Sequence, residues 1–278
     1  TLLNHILAHK ISITSPRAQT TRHRILGILT EADYQMIFVD TPGLHQGVKL
    51  GINKRMNKIA LSVIHDVDVL LWLVEADRWK EEDEWILNQL KRVTIPKIII
   101  INKIDRLKDK LRLLPQIEQL ARKLPEQSIL PLSAHKQTDF SELKTEIQKR
   151  LPKTQQFLYP RDMLTDRSAE FMAAEIIREK ITRHLRDELP FSISVEIERF
   201  QVENEHLQIH AMIWVAREGQ KAIVIGEKGE RLKEIATQAR KAIEQSLHKK
   251  LDLRCWVKTK PNWMNDEKQL DRWGYFNS

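Results

Sequence analysis

Lys97-Ile98-Ile99-Ile100-Ile101 leaves this chain few folds to choose from. Isoleucine is stiff at its branched Cβ and suits extended backbone. A run without polar alternation has no face to offer water, so the strand must be buried on both sides. Parallel sheets sandwiched between helices provide that environment, whereas an antiparallel sheet with one wet face does not. The neighbouring sequence agrees. Strands are predicted at residues 34–39, 67–74, 97–101 and 128–132, and helices near 53–64, 80–92, 112–123 and 140–151. Alternation of this kind predicts a doubly wound, mostly parallel α/β sheet over residues 1–150.

Ligands of open α/β sheets bind at the carboxyl ends of the strands, and three informative loops fall there. Asn102-Lys103-Ile104-Asp105 follows the isoleucine run. An Asp in that loop can accept from the N1–H and 2-amino groups of guanine, donors that adenine lacks. Asp40-Thr41-Pro42-Gly43 follows the strand at 34–39. Its Asp can hold Mg²⁺ through a water, and Gly43 lets a backbone N–H approach a terminal phosphate, although a D-x-x-G by itself is usually a turn. Ser133-Ala134-His135 follows the last strand, where a backbone N–H can reach the guanine carbonyl.

In order, these loops resemble those of the translation-factor-type GTPases of the P-loop class. The resemblance implies GTP and GDP as ligands with Mg²⁺ as cofactor. It places Asp40 and Gly43 at the metal and γ-phosphate and Asn102, Lys103 and Asp105 at guanine, with Lys103 over the purine plane. Ser133 and Ala134 become the last base-contacting loop. Gln19 to Arg24 occupies the first switch; Thr21 matches its Mg²⁺-binding threonine better than Thr20, which stays open. Thr21, Asp40 and Gly43 are thereby the candidate catalytic residues, and Thr21 and Asp40 the candidate metal ligands. Leu44 stands where Ras-like relatives carry a water-orienting Gln, so backbone, a monovalent cation or a partner must position the water. His45 reads as a solvated loop residue more readily than as a substitute base. The G-x-x-x-x-G-K-[ST] phosphate loop does not occur in the sequence. Thr1 to Leu7 reads as the middle of an amphipathic helix, so a chain lacking its start is expected, with very weak GTP binding by residues 1–278.

Residues 151–167, with prolines at 152 and 160, read as a linker before a second domain at 168–278. There a helix to about Leu185 precedes period-two strands at 192–198 and 207–213. A short helix (220–225), Gly226-Glu227-Lys228-Gly229, a long helix and a strand at 251–257 follow. This α+β order resembles the type II KH domain, whose G-x-x-G loop clamps single-stranded RNA. The site implied comprises Ile225, Gly226, Glu227, Lys228 and Gly229, flanked by Lys221, Arg231 and Lys233. Ile225 is equally well placed for core packing. Charge supports a polyanionic partner: the chain carries a net +8, and residues 221–260 hold 11 basic against 5 acidic side chains.

The two domains together resemble the bacterial ribosome-associated GTPases with a C-terminal KH domain. Further local resemblances are Lys10 to Ser15, Glu196 to Phe200 and Arg217 to Lys221. The resemblance implies a GTP-hydrolysing protein that binds 16S rRNA near its 3′ end and assists 30S subunit assembly, with nucleotide state and RNA contact coupled. An RNA-binding scaffold without turnover is the alternative. A tRNA-modifying GTPase fits less well, since nothing resembles its catalytic cysteine. No apolar run approaches the roughly 20 residues of a membrane span, and nothing reads as a signal peptide. The single cysteine, Cys255, excludes an internal disulfide and reads as a small buried hydrophobe. A cytoplasmic monomer is expected, with a peripheral contact at the membrane's inner face left open by the basic surface.

Overall fold

The computed structural model describes residues 1–15, 20–44, 46–47, 50–185, 192–203 and 206–275. Strand β4 (Lys97–Asn102) lies at the centre of a parallel sheet, between β3 (Leu70–Glu75) and β5 (Ser128–Pro131). Ile98, Ile99, Ile100 and Ile101 are all 0% exposed. Alternate residues point to opposite faces. Ile98 and Ile100 therefore meet Leu2 and Ile6 of α1 (Leu2–Ile6) and Leu143 and Ile147 of α5 (Ser141–Gln148). Ile99 and Ile101 meet Leu87 of α3 (Glu81–Leu90) and Leu120 of α4 (Leu113–Lys123). Burial of each isoleucine contributes about 2 kcal/mol, and a one-residue slip would exchange the two faces.

A second, antiparallel pair, β1 (Ile25–Thr30) and β2 (Gln35–Asp40), is joined by a tight turn. The sequence pattern does not reveal β1, because Gly27 interrupts its apolar run. The structure supplies the reason for the glycine. A Cβ there would lie 2.7–2.9 Å from side-chain atoms of Ile11, Leu7 and Leu3, which pack directly on the strand. The segment expected as a linker is bound against this pair: Ile28 N–H donates to Leu164 O at 2.9 Å, and Leu26 N–H to Asp166 Oδ1 at 3.1 Å. The outer edge of β1 is thereby covered.

Helix α6 (Ala169–His184), capped by Ser168 accepting from Phe171 N–H, opens the second half. Its three-stranded sheet has β7 (His206–Val215) in the middle, antiparallel to β6 (Ile193–Glu203) and parallel to β8 (Leu251–Thr259). Helices α6, α7 (Glu218–Ile225) and α8 (Glu230–Leu247) cover one face over a continuous apolar core. The chain then turns back through α9 (Glu267–Arg272). Trp263, Leu270 and Tyr275 bury themselves against Ile52 and Met56 of α2 (Gly51–Ile64). Met172 of α6 joins Leu7, Ile11 and Ile25 in a second shared cluster.

Candidate functional site

The loops after β4 and β5 are tied together by side chains. Asn102 Oδ1 accepts from Lys103 N–H at 2.7 Å and from Ala134 N–H at 3.0 Å, so one carbonyl oxygen sets both turns. Lys103 takes left-handed backbone (φ +66°), which aims the following residues outward. Asp105 is exposed, and Ser133 Oγ donates to its Oδ1 at 2.5 Å. That bond holds the Asp105 carboxyl below its ordinary range and keeps it a pure acceptor. Lys103 Nζ lies 3.2 Å from Glu75 Oε1 at the end of β3. The structure thus brings Asn102, Lys103, Asp105, Ser133 and Ala134 to one place.

Asp40 ends β2, half-buried. Ser12 Oγ donates to its Oδ2 at 2.8 Å, and Thr21 Oγ1 lies 3.4 Å from the same oxygen. Burial raises the Asp40 carboxyl against the lowering effect of those hydroxyls. A sheltered carboxylate with a threonine hydroxyl beside it fits Mg²⁺, which binds through one or two protein oxygens together with waters and substrate phosphates. Among the described residues no group of three or more His, Cys, Asp or Glu could hold a metal by itself. Gly43 lies exposed in the loop beyond Asp40, and Leu44 is half-buried. Gln19 and His45 lie outside the described residues.

In the second half, Gly226 ends α7 with φ +74° and ψ 179°, Lys228 has φ +47°, and Gly229 at φ +82° starts α8. Three residues of positive φ in four fold the loop tightly and push Glu227 and Lys228 into solvent. Lys233 is exposed, Lys221 half-buried, and Arg231 Nη1 donates to Ile223 O at 2.6 Å, bracing the loop. Ile225 is partly buried against the core, while its neighbour Ile223 stays 42% exposed and supplies the apolar surface.

Sequence reasoning misses a set of polar residues between the halves: Arg22, His23, Glu175, Arg178 and Glu179 are all buried. Arg178 forms a bidentate pair with Glu175, Nε to Oε1 at 2.7 Å and Nη2 to Oε2 at 2.6 Å, and Nη2 also donates to Thr20 O at 2.6 Å. Burial alone would raise the Glu175 carboxyl, but the Arg178 guanidinium holds it below its ordinary value. Arg22 Nη1 donates to Ile193 O at 2.6 Å, with Tyr275 Oη 3.3 Å away. His23 Nδ1 donates to Gly274 O at 3.1 Å, and its ring stacks on Tyr275 with centroids 4.5 Å apart. The one signal available in the sequence is the i, i+3 and i+4 spacing of Glu175–Arg178 and Glu179–Arg183 on a helix whose apolar stripe is irregular.

Comparison with known proteins gives a consistent result. Residues 1–103 match the family described as 50S ribosome-binding GTPase, and residues 188–264 match the KH domain. The chain is 47% identical over 275 residues to GTPase Era of Pseudomonas aeruginosa, spanning 99% of this chain and 90% of that protein. It is 48% identical over 278 residues to GTPase Era of Azotobacter vinelandii, spanning 100% and 92%. Its fold matches, with a TM-score of 0.95 at 39% identity, a crystal structure of Era in complex with MgGDPNP and nucleotides 1506–1542 of 16S ribosomal RNA; 99% of this chain and 93% of that one are covered.

Proposed function

This chain belongs to the Era GTPases, and from that premise we propose that the intact protein binds and hydrolyses GTP and engages 16S rRNA near its 3′ end in small-subunit assembly. Residues 1–150 form the GTPase domain, 151–167 the connection and 168–278 the KH domain. Asp105 selects guanine, because an exposed carboxylate held as an acceptor pairs with two donors that adenine does not carry. Ser133 holds it in place, Asn102 ties the Ser133–Ala134 loop beside it by accepting the Ala134 N–H so that this loop borders the base, and Lys103 leaves Glu75 to cover the purine. Asp40 and Thr21 hold Mg²⁺, and the backbone of Gly43 senses the terminal phosphate. Mg²⁺ bound to phosphate oxygens neutralises the charge that develops during phosphoryl transfer. Leu44 cannot orient water, so the attacking water is placed by backbone, by a monovalent cation or by a partner.

RNA binds at the exposed loop Gly226 to Gly229, where Lys228 and Lys233 meet phosphates, Lys221 and Arg231 flank the backbone path, and Ile223 and Ile225 face the bases. Among the described residues no helix is long and apolar enough to cross a membrane.

What carries the nucleotide assignment is the bonding between the two base loops, Asn102 to Ala134 and Ser133 to Asp105. Asp105→Asn tests it. The amide offers a donor in place of an acceptor, so competition binding should show preference moving from guanine to xanthine nucleotides. Unchanged selectivity for GTP over XTP would reject the site.

A further inference from the structure

Helix α6 belongs to the KH half, yet its polar side chains end on the backbone of two segments beside Asp40. Glu179, 0% exposed, accepts from Lys10 Nζ at 2.9 Å and Thr14 N–H at 3.1 Å, and Arg183 Nε and Nη2 donate to Thr14 O at 3.2 and 3.1 Å. Arg178, the residue before Glu179, donates to the Thr20 carbonyl. Thr20 is covalently next to Thr21, whose hydroxyl lies 3.4 Å from Asp40. Buried ion pairs lose much of their attraction to desolvation, and an apolar seam would join the halves as well. What a Glu175–Arg178 pair adds is direction: Glu175 engages Nε and one N–H of Nη2 and so fixes the planar guanidinium, and the second N–H of Nη2 holds one backbone oxygen.

We propose that Arg178, oriented by Glu175, is a positioning residue of the nucleotide site: by fixing the Thr20 carbonyl it holds the Thr21 hydroxyl where Mg²⁺ requires it. The KH domain thereby supplies part of the support of the GTPase site. This rests on Thr21 and Asp40 being the Mg²⁺ ligands. The opposite face of α6, Ile176, Ile177 and Ile181, shares a core with Ile235 and Ala239 of α8, the helix that the RNA loop begins. The same rigid element thus lies between the two ligand sites.

The double variant Glu175→Met/Arg178→Met removes both partners together, so neither is left as an unpaired buried charge, and Arg22 keeps its bonds to Ile193 O and Tyr275. In the intact protein, affinity for fluorescent GDPNP in Mg²⁺ should fall about tenfold. In EDTA it should equal that of the parent, because Thr21 acts only through the metal. Thr21→Ala should lose as much, and the triple variant no more than about twofold beyond Thr21→Ala, since both changes remove one contribution. Backbone amides at 20–24 should exchange faster in the double variant. Should that variant fail to fold, Arg178→Lys, which keeps the charge beside Glu175 but not the fork, gives the same readout. A Mg²⁺-sensitive parent with the variant's affinity within about twofold, or losses that multiply in the triple variant, overturns the proposal alone. A parent whose GDPNP affinity is blind to Mg²⁺ overturns the Thr21–Asp40 site, and the proposal with it.

Discussion

His23 is packed between Tyr275 and Phe171 with its Nδ1–H on Gly274 O, and burial pushes its imidazole down to about 4. An unfolded histidine titrates near 6.5. Above that pH the ring is neutral in both states and adds no pH dependence. As pH falls from about 6.5 to 4 the unfolded chain takes up a proton that the folded one refuses, so stability is lost at about 1.4 kcal/mol per pH unit, about 3 kcal/mol in all. His23→Phe keeps the stacking and removes the titration. Urea unfolding at pH 6.5 and 5 should show a loss smaller in the variant by about 2 kcal/mol; equal losses would contradict the buried neutral state. The positions of Asp105 and Asp40 are legible in sequence because each closes or follows an apolar run that reads as a strand, and the structure puts both at strand carboxyl ends. Arg22 and His23 are not. They sit in what reads as a switch loop, and the partners that bury them are at positions 193 and 274–275.

At the scale of elements, the loop between α7 and α8 shows how two glycines of one motif differ. A Cβ on Gly226 would lie 2.6 Å from Arg231 Cβ, and φ +74° with ψ 179° suits glycine alone. Gly229 has open space around it and a left-handed conformation that asparagine tolerates. Gly226→Ala should therefore lower the melting temperature clearly, by the equivalent of about 1–3 kcal/mol, and Gly229→Asn by less than about 1 kcal/mol. Equal shifts would contradict the loop geometry. Replacing Glu227 and Lys228 together by Asp should leave melting unchanged and weaken single-stranded RNA binding at moderate salt about tenfold, whereas surviving affinity would remove this loop from the RNA site. The isoleucine strand is readable because its burial matches its unbroken apolar run; the period-two strands are readable as strands, but Ser192 and Ser194 are buried beside Trp263 and Tyr275 on the face that reads as solvated. β1 escapes because Gly27 answers to the packing of Leu3, Leu7 and Ile11, a contact that no local period announces. The irregular stripe of α6 has a similar cause: the helix is buried against its own sheet on one side and against residues 10–22 on another.

Across the whole molecule, the C-terminal tail touches both segments that flank the nucleotide site. Tyr275 and Gly274 hold Arg22 and His23. Asn265 Oδ1 accepts from Gly51 N–H at 2.8 Å, Asp271 pairs with Arg55 at 2.9 Å, and Trp263 packs on Ile52 and Met56, in the helix that follows the Asp40 loop. Such contacts were beyond sequence reading, since Trp263, Trp273 and Tyr275 follow no period that names a partner. Shared cores and buried polar ties between the halves mean that a ligand shifting one half changes the energy of the other, and the coupling must be reciprocal. The most direct measurement is the affinity of the intact protein for an RNA matching the 16S 3′ end, at one salt concentration, with Mg²⁺–GDPNP, with the adenine analogue, and without nucleotide. The guanine analogue should change the RNA Kd by about fivefold or more, and the adenine analogue should leave it at the nucleotide-free value. The same Kd under all three conditions would contradict a guanine site wired to an RNA site.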